Sequence, residues 1–428
     1  MFKETPAACQ KQFPPAVCAF LTWGNCFLLT RRNVNMKHFP GYHSLPGGKV
    51  NKNESLAQAV SREIQEELAV TIAPSEFQEI GMAITPLTHP YGFQTTFFHY
   101  HFEKEPKLTP DPDEFDHCQW INAQDFQDLY LAGDILMVPP IRKLIERFSQ
   151  NKTLTISNSA FSPPEIANYE VICGLKQFFT PSNTLPPFNS TNTLLCDGII
   201  IDASPKDEAT ALQLITQLQK EKPRAFFISH FHGDHHQFFP LLSQKLSLPL
   251  YIGKQTYDEI SKRRPSDYFQ SASEIRFIEN EQTIGQWNHM AIKVLNLPGH
   301  SAEMMCLRAE SNQWLFVSDL YVGRTSVVVD NMHQYFESLD QVLKINPTVL
   351  IPSHGIATGG TSVIQKIKKH RLYREEQILK LYQQGHSIEK IRQLLYANLD
   401  EKLTDYAVQN IKSHLSRLQI LGKIDCLK

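Results

Sequence analysis

No stretch of this 428-residue chain approaches the ~18 consecutive apolar residues that a membrane-spanning helix needs. The start, residues 1–13, lacks the apolar core of a secretory signal. The eight cysteines (Cys9, Cys18, Cys26, Cys118, Cys173, Cys196, Cys306 and Cys426) include no C-x-x-C pair, which argues against a thiolate zinc ribbon. Their scatter does not form a disulfide framework either, so reduced and mostly buried thiols are expected. Charge of one sign is also missing. The formal net charge is −2, which gives no whole-chain attraction to nucleic acid or membrane. There is no internal repeat and no low-complexity tract. These absences together describe a cytoplasmic protein with no membrane partner.

What is present is ordinary globular material. Hydrophobic residues make up 42% and charged residues 20%, enough for more than one core. At roughly 150 residues per domain the length suggests about three domains. Composition divides the chain accordingly. Block 1–150 has strand-like runs at 16–30 and 94–102, a helix after Glu54 and a closing helix near 139–148. Segment 151–167 is polar, aperiodic and ends in Ser-Pro-Pro, as a linker does. Block 168–362 alternates short apolar strands with helices, and several strands end at a His or Asp. Block 363–428 reads as three helices over 369–384, 388–397 and 405–421, with Gly385 closing the first and Ser387 capping the second.

Residues 229–236 read Ser-His-Phe-His-Gly-Asp-His-His and follow the apolar run 225–228. A buried strand feeding a loop dense in imidazoles and a carboxylate concentrates nitrogen and oxygen donors that suit zinc and similar divalent metals. Three more donors follow: His300 in Leu-Pro-Gly-His, Asp319 after Leu-Phe-Val-Ser, and His354 after Val-Leu-Ile-Pro-Ser. Each sits just past an apolar strand, which suggests one convergent site. A lone His at a strand end is more often a hydrogen-bonded core residue, and His236, His289 and His333 read that way. Four ligand-type residues within six positions do not, because a bare cluster is costly to pack.

His-x-His-x-Asp-His, with Pro-Gly-His300, Asp319 and His354 in order, resembles the signature of the metallo-β-lactamase superfamily. The segment 191–202 resembles the opening hairpin of that fold. The resemblance covers roughly 170–360 and implies an αββα sandwich. It further implies two Zn²⁺ ions, the first held by His230, His232 and His300, the second by Asp234, His235 and His354, with Asp319 bridging. Asp234 would orient a metal-activated water. Ser318 stands where the family commonly has Gly.

The first block carries a second signal. On a helix, Glu63, Glu66 and Glu67 share one face at i, i+3 and i+4. Three acids there repel one another unless the face is solvated or holds cations, and Mg²⁺ suits carboxylates combined with substrate phosphates. Gly48, Glu54, Arg62, Glu63, Ile64, Glu66, Glu67 and Val70 match the pattern of the Nudix box, which the segment resembles. Ala69 departs from it, standing where the family has Gly. Left-handed backbone there would cost Ala roughly 1 kcal/mol or force a different turn. The resemblance implies a Nudix α/β/α sandwich that cleaves a nucleoside diphosphate-linked substrate. Mg²⁺ or Mn²⁺ would be held by Glu63, Glu66 and Glu67, with Glu63 and Glu67 catalytic and Arg62 orienting them. The approach 28–48 loosely resembles the coenzyme A diphosphatase branch, with Arg31, Arg32 and His43 as candidate substrate contacts.

Residues 366–428 hold thirteen Lys/Arg against seven Asp/Glu, a net of about +6. This is either a solvated helical cap or a winged-helix-like element, whose last helix would present Lys412, Arg417 and Lys423 to phosphates. The segment after His370 resembles the tail of the lactamase-beta-like endoribonuclease group. The expected class is thus α/β multidomain: a Nudix domain at 1–150, a metallo-β-lactamase fold at 168–362 and a winged-helix-like tail at 363–428. The leading expectation is a bifunctional metal-dependent hydrolase: the binuclear zinc site would cleave a thioester, an ester or a phosphodiester by metal-activated water, and the Nudix domain a nucleoside diphosphate-linked substrate such as one of the coenzyme A type, with acyl-coenzyme A-like or nucleotide-linked small molecules as partners. The alternatives are an endoribonuclease whose basic tail binds RNA, and a non-catalytic binding scaffold.

Overall fold

The computed structural model describes residues 13–85, 92–156, 166–323, 326–397 and 399–425. The middle of the expected linker (157–165), Cys9 and Cys426 lie outside the described residues. The chain forms two compact units.

The first unit comprises Met1–Asn33, His43–Phe126 and Val138–Ser162. Its six-stranded sheet is centred on Pro15–Trp23, which runs parallel to Gln94–Phe102 in unbroken register from Pro15↔Gln94 to Trp23↔Phe102. Alternation along the central strand splits its side chains between two faces. Val17, Ala19 and Leu21 pack with Ala59, Val60, Ile64 and Leu68 of the helix Leu56–Leu68. Phe20 and Phe27 point the other way and stack edge-on against Phe148 of the helix Pro139–Ser149. One helix on each face gives the expected α/β/α sandwich.

The second unit comprises Val34–Tyr42, Gln127–Met137 and Pro163–Lys428. It contains a seven-stranded and a six-stranded sheet. The strands that matter most are short and wholly buried: Ile199–Ile201, Ala225–Ile228, Trp314–Ser318 and Val349–Pro352. Continuous apolar runs of this kind are covered on both faces. On the outer face of the first sheet, Phe226, Ile228 and Ile252 pack with Leu214 and Leu218 of the helix Glu208–Lys220 and with Ile260 of the helix Lys254–Arg263. On the second sheet, Leu315, Val317 and Leu350 pack with Tyr335, Leu339 and Val342 of the helix Met332–Ile345. The alternate residues Ile201, Phe227, Phe316 and Ile351 are buried on the inner faces. The result is the expected αββα layering.

The chain closes with the helices Ser362–Gln383, Ile388–Leu395 and Thr404–Ile420. The first starts seven residues before the sequence signal, because Ile364 and Ile367 pack into the core of the second sheet. Ser387 caps the second helix by accepting from the Lys390 amide. Among the described residues no strand follows Thr358–Gly359, so the tail is helical and shows no wing. No helix of the described residues is long and apolar enough to cross a membrane. The described cysteines are free thiols; Cys196 and Cys306 are buried, while Cys18, Cys26, Cys118 and Cys173 are partly exposed rather than buried as expected.

Candidate functional site

Strand pairing builds the histidine site. Ile199–Ile201 runs parallel to Ala225–Ile228, so Asp202 and Ser229–His230 leave neighbouring strand ends on the same side. Trp314–Ser318 runs parallel to Val349–Pro352, so Asp319 and His354 do the same in the other sheet. A short 3-10 turn, Gly233–His235, brings Asp234 and His235 back toward His230. His300 follows Gly299, whose φ of 124° suits only glycine and where a Cβ would lie 2.4 Å from the Cα of Tyr335.

All seven sequence-predicted donors meet here. His230 Nε2, His232 Nδ1 and His300 Nε2 form a triangle with sides of 2.9, 2.9 and 3.2 Å. Three nitrogens around a tetrahedral zinc at about 2.0–2.1 Å would stand about 3.3–3.4 Å apart, so a few tenths of an ångström of outward movement fits an ion. Asp319 lies between two donor groups. Its Oδ2 is 3.5 Å from His235 Nε2 and 3.7 Å from His300 Nε2, and its Oδ1 is 3.6 Å from His354 Nε2. Asp234 is 3.8 Å from His235 Nε2 and 3.5 Å from His354 Nε2.

The outer partners fix the tautomers. His300 Nδ1 donates to the Val328 carbonyl at 2.7 Å and His354 Nδ1 to the Ser190 carbonyl at 2.9 Å. His235 Nδ1 donates to Asp202 Oδ2 at 2.9 Å. Ser229 Oγ, which gives its own proton to Asp202 at 2.6 Å, accepts from His230 Nδ1 at 3.0 Å. Carbonyls and carboxylates only accept, so Nδ1 keeps its proton and any ring that is neutral, as a metal ligand must be, aims its Nε2 lone pair inward. His235 Nε2, His354 Nε2 and Asp319 Oδ1 are buried without a hydrogen-bond partner. Orphaned donors and acceptors of this kind are costly unless a cation completes them.

Charge within the site is polarised. Burial and the neighbouring imidazoles hold His230 well below the usual histidine range, and push His232 down to about 3. Burial also opposes charge on His235, but Asp319, Asp234 and Asp202 outweigh it and raise its pKa. Burial would raise Asp234 and Asp319 as well, yet the adjacent imidazoles hold both below the usual carboxylate range. Thr184 donates to the Asp234 carboxylate, Thr191 Oγ1 donates to its carbonyl at 2.8 Å, and Phe188 stacks on His354. His236 is excluded from the donor set. Its Nδ1 pairs with Tyr268 Oη and its Nε2 with the Phe231 carbonyl.

Sequence reasoning missed Asp202 as a member of this site. It is fully buried and accepts from the Ser229 amide, the Ser229 hydroxyl and His235. Ser318 adopts the left-handed turn that a glycine would favour, at φ 48°. Its hydroxyl donates to Ser229 Oγ at 2.9 Å, a bond glycine lacks.

In the first unit, Arg62 organises the glutamates. It pairs with Glu54 at 2.7 Å, Glu63 at 2.9 Å and Glu66 at 2.8 Å. Glu67 is buried and accepts from the Gly47 amide at 2.8 Å. Burial pushes Glu67 up to about 8, with Glu63 and Glu114 adding to the rise. Glu63 is raised as well, by burial first. A Cβ on Gly48 would lie 2.5 Å from the Glu63 carboxylate, which would then have to move aside. Ala69 keeps the left-handed helix end, at φ 57°, with its amide on the Gln65 carbonyl. Glu63, Glu66 and Glu67 converge less tightly than the histidines. Among the described residues, the groupings of three donors within 4.8 Å all lie in the second unit. Arg31 pairs with Asp116 and lies across from His43 in the sheet, while Arg32 acts on Glu67 by its charge. Glu114, whose charge adds to the rise at Glu63 and Glu67, had no signal in the motif spacing.

The NUDIX domain family matches residues 12–147, and the metallo-beta-lactamase superfamily matches residues 186–354. A Beta-lactamase-like protein 2 homolog of Caenorhabditis elegans is 26% identical over 200 residues, covering 45% of this chain and 63% of that protein. An atrochrysone carboxyl ACP thioesterase of Cryptosporiopsis sp. is 28% identical over 166 residues, covering 38% of this chain and 47% of that protein. The chain thus spans less than two thirds of these curated relatives. A beta-lactamase domain protein from Burkholderia ambifaria shares the fold, with a TM-score of 0.50 and 18% identity over 61% of this chain and 91% of that one. Both matched families are hydrolases, and the chain carries a Nudix domain followed by a metallo-β-lactamase superfamily domain.

Proposed function

We propose that the second unit is a binuclear zinc hydrolase of small thioester or ester substrates. The first unit, in this reading, hydrolyses a nucleoside diphosphate-linked compound of the coenzyme A type with Mg²⁺ or Mn²⁺. The observation that carries the first claim is the convergence of His230, His232, Asp234, His235, His300, Asp319 and His354, with orphaned donor atoms aimed at common points. Two bound cations would polarise the scissile group and lower the pKa of a water to about 7. The chain's own residues then do the positioning. Asp234 stays ionised beside His235 and His354 and orients the attacking water. Phe188 walls the site over His354. Arg264 follows the helix Lys254–Arg263, and its Nη2 comes within 3.1 Å of where a Gly233 Cβ would sit, beside the ligand loop. An exposed guanidinium there suits a phosphate-bearing substrate. The thioester choice draws on the thioesterase among the relatives.

RNA cleavage is the competing reading, motivated by the basic tail. Lys412 and Lys423 are exposed, but Arg417 is committed to the buried Glu375 and stacks on Phe336. A binding scaffold without chemistry gives no reason for the convergent donor set of the second unit.

Purified protein assayed with acyl-coenzyme A, single-stranded RNA and nucleoside diphosphate sugars, each with Zn²⁺ or Mg²⁺, separates these readings. Thioester cleavage lost only in Asp234→Ala, and pyrophosphate cleavage lost only in Glu67→Gln, is the expected pattern. RNA cleavage lost in Asp234→Ala, without thioester cleavage, would replace the thioester reading. No pyrophosphate cleavage under any condition would overturn the claim for the first unit.

A further inference from the structure

We propose that the C-terminal helices are positioning elements of the metal centre, acting on His300 through the backbone of residues 327–332. The inference rests on the reading of His300 as a metal ligand. His300 is oriented by one acceptor, the Val328 carbonyl. That carbonyl lies on irregular chain, in neither strand nor helix. Irregular backbone has no ladder to hold it, so other groups must fix its position.

The tail supplies them. Asn410, from the helix Thr404–Ile420, brackets Val328 with both ends of its amide. Its Oδ1 accepts from the Val329 amide at 3.1 Å, and its Nδ2 donates to the Val327 carbonyl at 3.4 Å. Arg371, from the helix Ser362–Gln383, donates to the same Val327 carbonyl at 2.6 Å. Ser413 accepts from the Met332 amide at 2.7 Å, and Gln409 donates to the Asp330 carboxylate. Asn410, Ser413 and Arg371 are all buried, so these bonds do not compete with solvent. The segment then returns to the ligand loop, where the Asn331 amide donates to the Gly299 carbonyl at 2.9 Å.

The two helices are fastened to each other behind this contact. Buried Glu375 of the first pairs with His414 and Arg417 of the last. Ile378, Ile391, Ile411, Leu415 and Leu418 form a core of their own around it. The cationic side chains Arg371 and Arg417 therefore serve the hydrolase unit itself. The tail holds the acceptor that sets the direction of a ligand's lone pair.

The test compares Asn410→Leu and Asn410→Asp with wild type in the full-length zinc-loaded protein. Zinc affinity is read by chelator competition and stability by thermal melting. Ile391→Val is the control, since it loosens the tail core without touching 327–332. Asn410→Leu leaves the Val328 carbonyl in place but loosens it, so one of two bound zinc ions is expected to weaken by up to about 10-fold, the low end of the range for loss of an outer partner of a ligating histidine. Asn410→Asp keeps the acceptor for Val329 and should recover part of that affinity. Ile391→Val should lower the melting temperature with zinc affinity unchanged. If wild type binds two zinc ions and Asn410→Leu binds them equally well, the clamp is overturned and the metal centre stands. If Ile391→Val weakens zinc as much as Asn410→Leu, general destabilisation replaces the clamp. A wild-type protein that takes up no zinc would overturn the metal-centre reading and the clamp with it.

Discussion

Replacing Asp202 with Asn tests whether the buried carboxylate beneath His235 sets the site. Asp202 Oδ1 accepts the Ser229 amide at 2.8 Å, and Oδ2 accepts both the Ser229 hydroxyl at 2.6 Å and His235 Nδ1 at 2.9 Å. Asn is nearly isosteric but has one acceptor atom and one donor group. If its NH₂ faces His235, two donors meet and the imidazole must shift its proton to Nε2, the atom meant for the metal. If it faces the other way, the buried Ser229 amide loses its acceptor, at about 1–3 kcal/mol. Either orientation removes a charged acceptor from His235. Zinc held by Asp234, His235 and His354 should bind about 10–100-fold more weakly, or about 1.4–2.7 kcal/mol. Chelator competition measures the affinity, and urea denaturation of the metal-free protein measures the stability. The His230, His232 and His300 group should be less affected. A variant whose two zinc affinities both stay within about twofold of wild type would refute the reasoning.

Three further outcomes follow from the same physical chemistry. Ala69→Gly should stabilise the first unit by about 1 kcal/mol, because glycine adopts the left-handed helix end without the Cβ clash. A melting temperature unchanged or lowered would contradict this. Glu67 is pushed up to about 8 by burial, so a Mg²⁺ ion bound there, as proposed, would have to displace a proton from it at neutral pH. Isothermal titration should show Mg²⁺ affinity rising with pH toward about 8, and a flat profile between pH 6 and 8 would count against Glu67 as a ligand. Burial would raise Glu375, but its bonds to His414 and Arg417 hold it below the usual glutamate range. A depressed folded-state pKa gives stability that is present above the unfolded value, about 4.3, and is lost as pH falls through the folded one. The stability gap between wild type and Glu375→Gln should therefore be widest near neutral pH and close in acid. A gap that stays constant down to pH 3 would argue against the pairing.

The donors were legible in the sequence because each follows a mainly apolar run, and four of them share one loop. Asp202 was not. It follows Ile-Ile-Ile and meets His235 only because two parallel strands place their ends side by side, a contact that spacing along the chain does not encode. Glu114 escaped notice for a similar reason, since its charge acts on Glu63 and Glu67 from the loop before the strand Phe115–Asn122. The Val328 carbonyl is a backbone atom and leaves no residue-type signal. Ala69 and Ser318 break the glycine preference of their positions, yet both adopt left-handed backbone. The surroundings fix each turn: the Gln65 carbonyl receives the Ala69 amide, and the Ser229 hydroxyl receives the Ser318 side chain. The basic tail was legible as helices but not as a clamp, because net charge does not say which cations face inward. Arg371 is buried and Lys412 is exposed on neighbouring surfaces of the same tail.

The outward hydrogen bonds of His235, His300 and His354 carry one more consequence. In the folded chain these N–H groups are committed to fixed acceptors. The polypeptide itself therefore sets the direction of the ring nitrogens, and an ion would not have to orient them. Such a socket discriminates by distance and donor type more than by element. Swapping one divalent ion for another of similar radius should leave the polypeptide in place, so the ion it carries would be set by supply in its surroundings as much as by the chain.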